Sequence, residues 1–190
     1  MYPDETYGAM GEMPTLAAGE YVIWKGKPRK RAYIADKALA LLPIAVIWLI
    51  FDLSFLRSAG GNGFLMLFLL VHMFPVWLWL GSALTSVMQW RNEDYYLTNK
   101  RIIIRRGIFK PRRESVFLRD VHSIRTHYGL LDRLFGSGDI YINYAVHGHG
   151  KHRRTYGWFL MNLADPEPLR ERIELLAMEA GGASANEEIY

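Results

Sequence analysis

Two long stretches of the chain carry almost no charge. From Ala38 to Phe51 the sequence reads ALALLPIAVIWLIF, and the apolar run continues past Asp52 through Leu53, Phe55 and Leu56. That is roughly 19 residues, about 28 Å as a helix, close to the hydrocarbon thickness of a bilayer. From Gly63 to Met88 only His72 interrupts a second uncharged stretch. Its length, about 26 residues or roughly 39 Å, exceeds one crossing, so tilt or protrusion into the headgroups is expected. Neither run has the polar face of a half-buried helix in a soluble bundle. Both are predicted to span a membrane, over 38–56 and 63–88.

Arg57 to Gly63, RSAGGNG, lies between them and predicts an outer turn over 57–62, short enough to make the helices an antiparallel hairpin. Lys25, Lys27, Arg29, Lys30, Arg31 and Lys37 precede the first helix, and Arg91, Lys100 and Arg101 follow the second, against Arg57 alone in the turn. By the positive-inside rule both termini are expected in the cytoplasm, the chain being a multi-pass protein of the cell (inner) membrane. Pro43 and Pro75 fall inside the helices, where each removes a backbone donor and favours a kink; Trp90 falls where an inner interfacial anchor is expected.

After Trp90 the period changes from helical to strand-like. Asp94 to Leu97 and Arg101 to Arg106 flank a tight Thr98-Asn99-Lys100 turn in which Asn99 is suited to a left-handed conformation. Ile108 to Lys110, Glu114 to Leu118, Val121 to Tyr128, Gly138 to Ala145 and Thr155 to Met161 follow as further strands, with a histidine-bearing loop over Val146 to Arg154. A helix then opens at Asp165-Pro166-Glu167, carries Leu169, Ile173, Leu176 and Ala177 on one face, and is expected to stop at Gly181-Gly182, leaving a flexible tail over 181–190. Tyr21 to Trp24, YVIW, is short and β-prone; it suits an added strand on this domain or on a neighbouring subunit.

The chain has 190 residues, room for one ordinary domain and an accessory segment. Lys and Arg total 23 against 19 Asp and Glu, a net charge of +4, so the placement of charge matters more than its sum. No cysteine is present, which removes disulfides, thiolate metal sites and cysteine nucleophiles. Residues 1–19 lack both an apolar period and a signal-peptide pattern and read as a disordered leader; 20–37 form a short strand and a basic juxtamembrane segment.

The strings NEDYYLTNKRIIIRRGIF, VFLRDVHSI and RLFGSGDIYI resemble the bacterial PH domain family 2, most specifically at Tyr96-Leu97-Thr98, Arg101-Ile102, Gly107 and Phe135-Gly136-Ser137-Gly138. The resemblance is strong from Trp90 to Ala145, and members commonly place a two-helix hairpin before the domain, often with a glycine-glutamate pair like Gly19-Glu20 before that. The fold expected is a two-helix transmembrane hairpin plus a mostly β PH-like domain over 90–180, about seven antiparallel strands in a small barrel or sandwich capped by a C-terminal helix.

No catalytic motif is present, so a non-enzymatic binding module without cofactor or metal is expected. Gly136-Ser137-Gly138 is too short for a phosphate loop and reads as a turn requirement. His147, His149 and His152 lack an acidic fourth ligand and neighbour Lys151, Arg153 and Arg154, so a mobile polar loop is the better account. Arg105, Arg106, Lys110, Arg112 and Arg113 gather around one strand connection and suit contact with lipid headgroups or the inner leaflet, each cation near an anionic surface being worth about 1 kcal/mol. Asp52 and His72 form a candidate intramembrane polar pair, although an ion pathway would carry more ionisable groups; the plainer reading is an interfacial Asp and a packed His. The expected partners are membrane lipids and either a second copy or another membrane protein, not nucleic acid, for which no aromatic platform accompanies the cations. The roles considered are a scaffold at the cytoplasmic face, specific recognition of an anionic headgroup, and an accessory subunit of a transporter or channel.

Overall fold

The computed structural model describes residues 13–58, 63–146 and 154–187. Most of the turn expected over 57–62, most of the histidine-bearing loop and the first part of the leader lie outside them. The elements run β1 (Val22–Gly26), α1 (Lys30–Ser58), α2 (Gly63–His72), α3 (Phe74–Asn92), β2 (Asp94–Thr98), β3 (Arg101–Arg106), β4 (Arg112–Phe117), a 3-10 turn (Leu118–Asp120), β5 (Val121–His127), α4 (Leu130–Phe135), β6 (Gly138–Val146), β7 (Arg154–Leu163) and α5 (Pro166–Glu187).

The strands form two antiparallel sheets, one ordered β1-β2-β3-β4 and the other β5-β6-β7. Tyr95, Leu97, Ile102 and Ile104 from the first sheet meet Ile140, Ile142 and Leu160 from the second, with Leu118 and with Leu169 and Ile173 of α5. The period-2 pattern of the strands and the i, i+4 pattern of α5 thus point into one core. The helix stripe behaves as expected at Leu169, Ile173 and Leu176.

YVIW joins this domain rather than leaving its partner open. β1 pairs with β2 through Val22↔Thr98 and Gly26↔Tyr95, so the domain begins before the helices and not at Trp90. Residues 13–19, expected within a disordered leader, are tied to the β2–β3 turn. Arg101 donates to the Thr15 carbonyl and Lys100 to that of Ala18, at 3.1 and 2.8 Å. Polar bonds hold a segment that has no apolar period to reveal it.

Several local expectations are corrected. Asn99 is not left-handed; the Thr98 hydroxyl builds the turn by accepting from the Lys100 and Arg101 N–H groups, while Asn99 bonds Gly19 and Tyr21. Ile108 to Lys110 is a turn, because Gly107 takes φ +148° and Asn92 Nδ2 occupies the carbonyls of Gly107 and Ile108 at 3.1 and 2.8 Å. An additional short helix, α4, stands between β5 and β6. α5 runs through Gly181 and Gly182 to Glu187, since neither glycine adopts the positive φ that forms a helix-ending cap.

α1 is the one helix among the described residues that is long and apolar enough to cross a membrane by itself. α1 packs along α3 and stays a single helix across Pro43. The stretch expected as one helix over 63–88 is broken at Met73, two residues before Pro75, into a pair bent by 46° that reaches the same length only when taken together.

Candidate functional site

The helices leave the first sheet after Gly26 and return to it at Asp94, which places residues 27–37 beside 89–94. Lys27, expected as part of the basic juxtamembrane flank, is buried. Its Nζ donates to the Trp90 and Arg91 carbonyls at 3.3 and 2.8 Å and pairs with Asp94 at 3.1 Å. Those carbonyls belong to the last turn of α3, where Trp90 O also accepts the Glu93 N–H, so the ammonium helps to cap the helix as well as neutralising Asp94. Trp90 donates Nε1 to the Pro28 carbonyl at 2.7 Å, with the Lys27 and Lys30 ammonium groups 5.1 and 5.3 Å from its ring. Arg29 Nη1 donates to the Phe135 and Gly136 carbonyls at the end of α4, at 2.6 and 3.0 Å.

One turn further along α1, Tyr33 reaches Glu93, which joins α1 to β2. The Tyr33 hydroxyl of α1 and the Tyr95 hydroxyl of β2 donate to its two oxygens, at 3.4 and 3.1 Å. Burial pushes the Glu93 carboxyl above the ordinary carboxylate range, and Arg106, Tyr95, Lys37 and Tyr33 pull it back. Lys37 itself bonds Gln89 and the Tyr33 hydroxyl. Burial beside Glu93 also holds the Tyr95 phenol protonated.

The five cations around the β3–β4 connection divide into two groups. Arg105 pairs with Asp94 at 2.7 Å, and Arg106 is half-buried, its Nε and Nη2 without hydrogen-bond partners and its charge pulling the Glu93 carboxyl downward. Lys110, Arg112 and Arg113 are exposed. The antiparallel register places Arg105 opposite Arg113 and Arg106 opposite Arg112, like charges side by side on each face of the ladder, and Asp94 offsets the charge of the first pair by engaging Arg105.

Asp52 and His72 are brought together. Nδ1 and Oδ1 are 2.7 Å apart, Asp52 is buried, and Trp48, Phe51 and Phe68 surround the imidazole with ring centroids at 5.3, 5.8 and 5.4 Å. Asp52 Oδ2 is buried without a partner and borders an apolar cavity of about 180 Å³ that reaches Met66, Leu69 and Trp77.

Two other groups have structural accounts. Gly136 closes α4 in the left-handed region, and a side chain on Gly138 would overlap Tyr128, so the glycines serve the turn. His127, Asp132 and Asp139 each bring one ligand-capable atom within 4.8 Å of the others. The two carboxylates already tie backbone: Asp132 accepts from Gly129 N–H and the Ser137 hydroxyl, and Asp139 from Asn162 N–H.

Sequence reasoning missed Lys27, Glu93, Asp94 and Tyr33. Their only local signal is an acidic pair at the end of an apolar run; what identifies them is partners about 60 residues away.

Residues 38–177, more than half of the chain, match the family model of the bacterial PH domain, and β1 precedes the matched segment. No curated protein and no solved structure matches the chain.

Proposed function

The chain belongs to the bacterial PH domain family, and from that premise we propose that it is a membrane-anchored, non-catalytic binding module, a scaffold for self-association or for a membrane partner at the cytoplasmic face. The observation that carries this reading is the pairing of β1 with β2. Strands from either side of the helical segment lie in one sheet, so both ends of that segment are on the same side of any bilayer it enters. The number of crossings is then even, and α1 with the bent α2–α3 pair supplies two.

The surface of the helices supports the lipid setting. Ile47, Ile50, Phe51, Leu67 and Val71 are all more than half exposed, as lipid-facing side chains are and the core helices of a soluble protein are not. The cations at the sheet end of the helices favour the cytoplasmic side for the domain. β4, with one side unpaired in its sheet and Arg112 to Ser115 exposed, offers an edge for a protein contact.

Two experiments test this reading. Single cysteines at Tyr21 and Met178, both exposed, are expected to react with an impermeant maleimide from the cytoplasmic side only; labelling from opposite sides rules out the paired crossing. The full chain purified in detergent is expected to be oligomeric or to retain a crosslinked membrane partner. A strictly monomeric particle with no partner in native membranes defeats the scaffold role.

Specific headgroup recognition is a second reading, carried by the exposure of Lys110, Arg112 and Arg113. Arg105 and Arg106 support the domain instead of that surface. Equal binding to all anionic vesicles, with a steep salt dependence, reduces this reading to plain electrostatics.

A further inference from the structure

Phe109 and Leu130 are each 86% exposed and Leu134 is 75% exposed, the highest values among the described large apolar side chains of the β domain. Leu130 and Leu134 stand at i and i+4 on α4, on one helix face. All three lie on connections at one end of the domain. In the first sheet the β1–β2 and β3–β4 connections emerge at the same end, the first of them being the helical segment itself, and α4 on the β5–β6 connection of the second sheet packs on α1.

Direct bonds fix that arrangement. Asn92, the last residue of α3, holds the Gly107 and Ile108 carbonyls. Arg29, one residue before α1, holds the end of α4 and donates its own N–H to Asn162 at 2.7 Å. The level relative to the helices is also fixed. α4 packs on α1 with Asp132 close enough to Asp36 to repel it, and Arg106, next to Gly107, acts in the same way on Lys37. Lys37 is the last charged residue before the uncharged run of α1, so both connections stand where headgroups begin. Lys110 and Arg112 on one side and Arg133 on the other are exposed cations that suit an anionic surface.

We infer that Phe109, Leu130 and Leu134 insert into the interfacial layer of the same bilayer that holds the helices, so that the domain is seated on the membrane at two apolar points flanked by cations. This rests on the membrane-spanning reading above, and its occupant is lipid. Aromatic and aliphatic side chains at headgroup depth bury apolar surface while neighbouring cations remain hydrated, the arrangement of an interfacial anchor.

The absence of native cysteine makes the test direct. The full chain is reconstituted in vesicles of mixed neutral and anionic phospholipid, with an environment-sensitive dye on F109C, L130C or L134C. I47C marks the span, and Y156C lies about 20 Å along β7 from Asn162. The expected result is a blue-shifted emission at 109, 130 and 134 and quenching by phospholipid spin-labelled near the glycerol end, at least half as strong as at 47, with little at 156. Quenching at 47 but no more at 109, 130 and 134 than at 156 overturns the seating alone. No quenching at 47 removes the membrane reading and the seating together. Protection from aqueous iodide without lipid quenching at the three sites also overturns the proposal, assigning the patch to a protein.

Discussion

Lys27 Nζ and Asp94 Oδ1 lie 3.1 Å apart in a buried ion pair whose side chains are 1% and 0% exposed. The pair joins the residue after β1 to the first residue of β2, and so closes the base of the helical segment. Two helix-end carbonyls complete the lysine's donors, and Arg105 adds a second cation to the aspartate. Removing one partner of such a pair typically costs about 3–5 kcal/mol, because the other is left buried and uncompensated. Asp94→Asn strands two cations and Lys27→Met one carboxylate that keeps Arg105. Asp94→Asn is therefore expected to lower the melting temperature in detergent more than Lys27→Met does.

The five cations of the β3–β4 connection are expected to separate in a stability scan. Arg105→Ala and Arg106→Ala remove the counter-charges of buried Asp94 and Glu93 and should cost about 2–4 kcal/mol. Lys110→Ala, Arg112→Ala and Arg113→Ala should stay within about 0.5 kcal/mol, as exposed substitutions do, while weakening contact with anionic vesicles. Thermal unfolding and vesicle co-flotation of the same variants check both halves.

Glu20 gives the acid limit of the N-terminal strand. Hydrogen bonds from Arg101 hold its carboxyl at about 2, against an ordinary value of 4.5, with Ala17 N–H and the Thr98 hydroxyl helping. The stabilisation is fully present above about 4.5 and disappears as pH falls towards about 2. Glu20→Gln should abolish that pH dependence and cost stability at pH 7, measured as hydrogen exchange of β1.

The Asp52–His72 contact calls for a double-mutant cycle. His72→Leu leaves a buried carboxylate with neither oxygen paired and should destabilise by about 3 kcal/mol; Asp52→Leu/His72→Leu together should fall within about 1 kcal/mol of the native chain. A double variant as unstable as the single one would show that the pair is not the source of the cost. If stability recovers but a transport or growth phenotype does not, the pair has a function beyond packing.

Apolar length marked α1 and the region of α2 and α3, alternation marked most strands, and the Asp165-Pro166 start and apolar stripe marked α5. These signals are local and periodic, so they are readable along the chain. α4 was missed although Leu130 and Leu134 have helical spacing, because six residues make too short a period. The continuation of α5 was missed because a glycine pair stops a helix only where it turns left-handed.

The candidate site was legible as a list of residues and not as a set of contacts. Sequence alone determined which stretches shun water, where the cations gather, and that Asp52 and His72 are the candidate polar pair of the apolar runs. Only the tertiary structure decided that YVIW completes the same sheet the helices interrupt, that Lys27 is a buried cap rather than a flank, and that Arg105 is held by Asp94 and Arg106 is half-buried while Arg112 and Arg113 are exposed. The physical reason is that hydrophobic period is a property of neighbouring residues. The partner of a charge is chosen by strand register and helix packing across separations of 60 residues or more, as between Lys27 and Arg91.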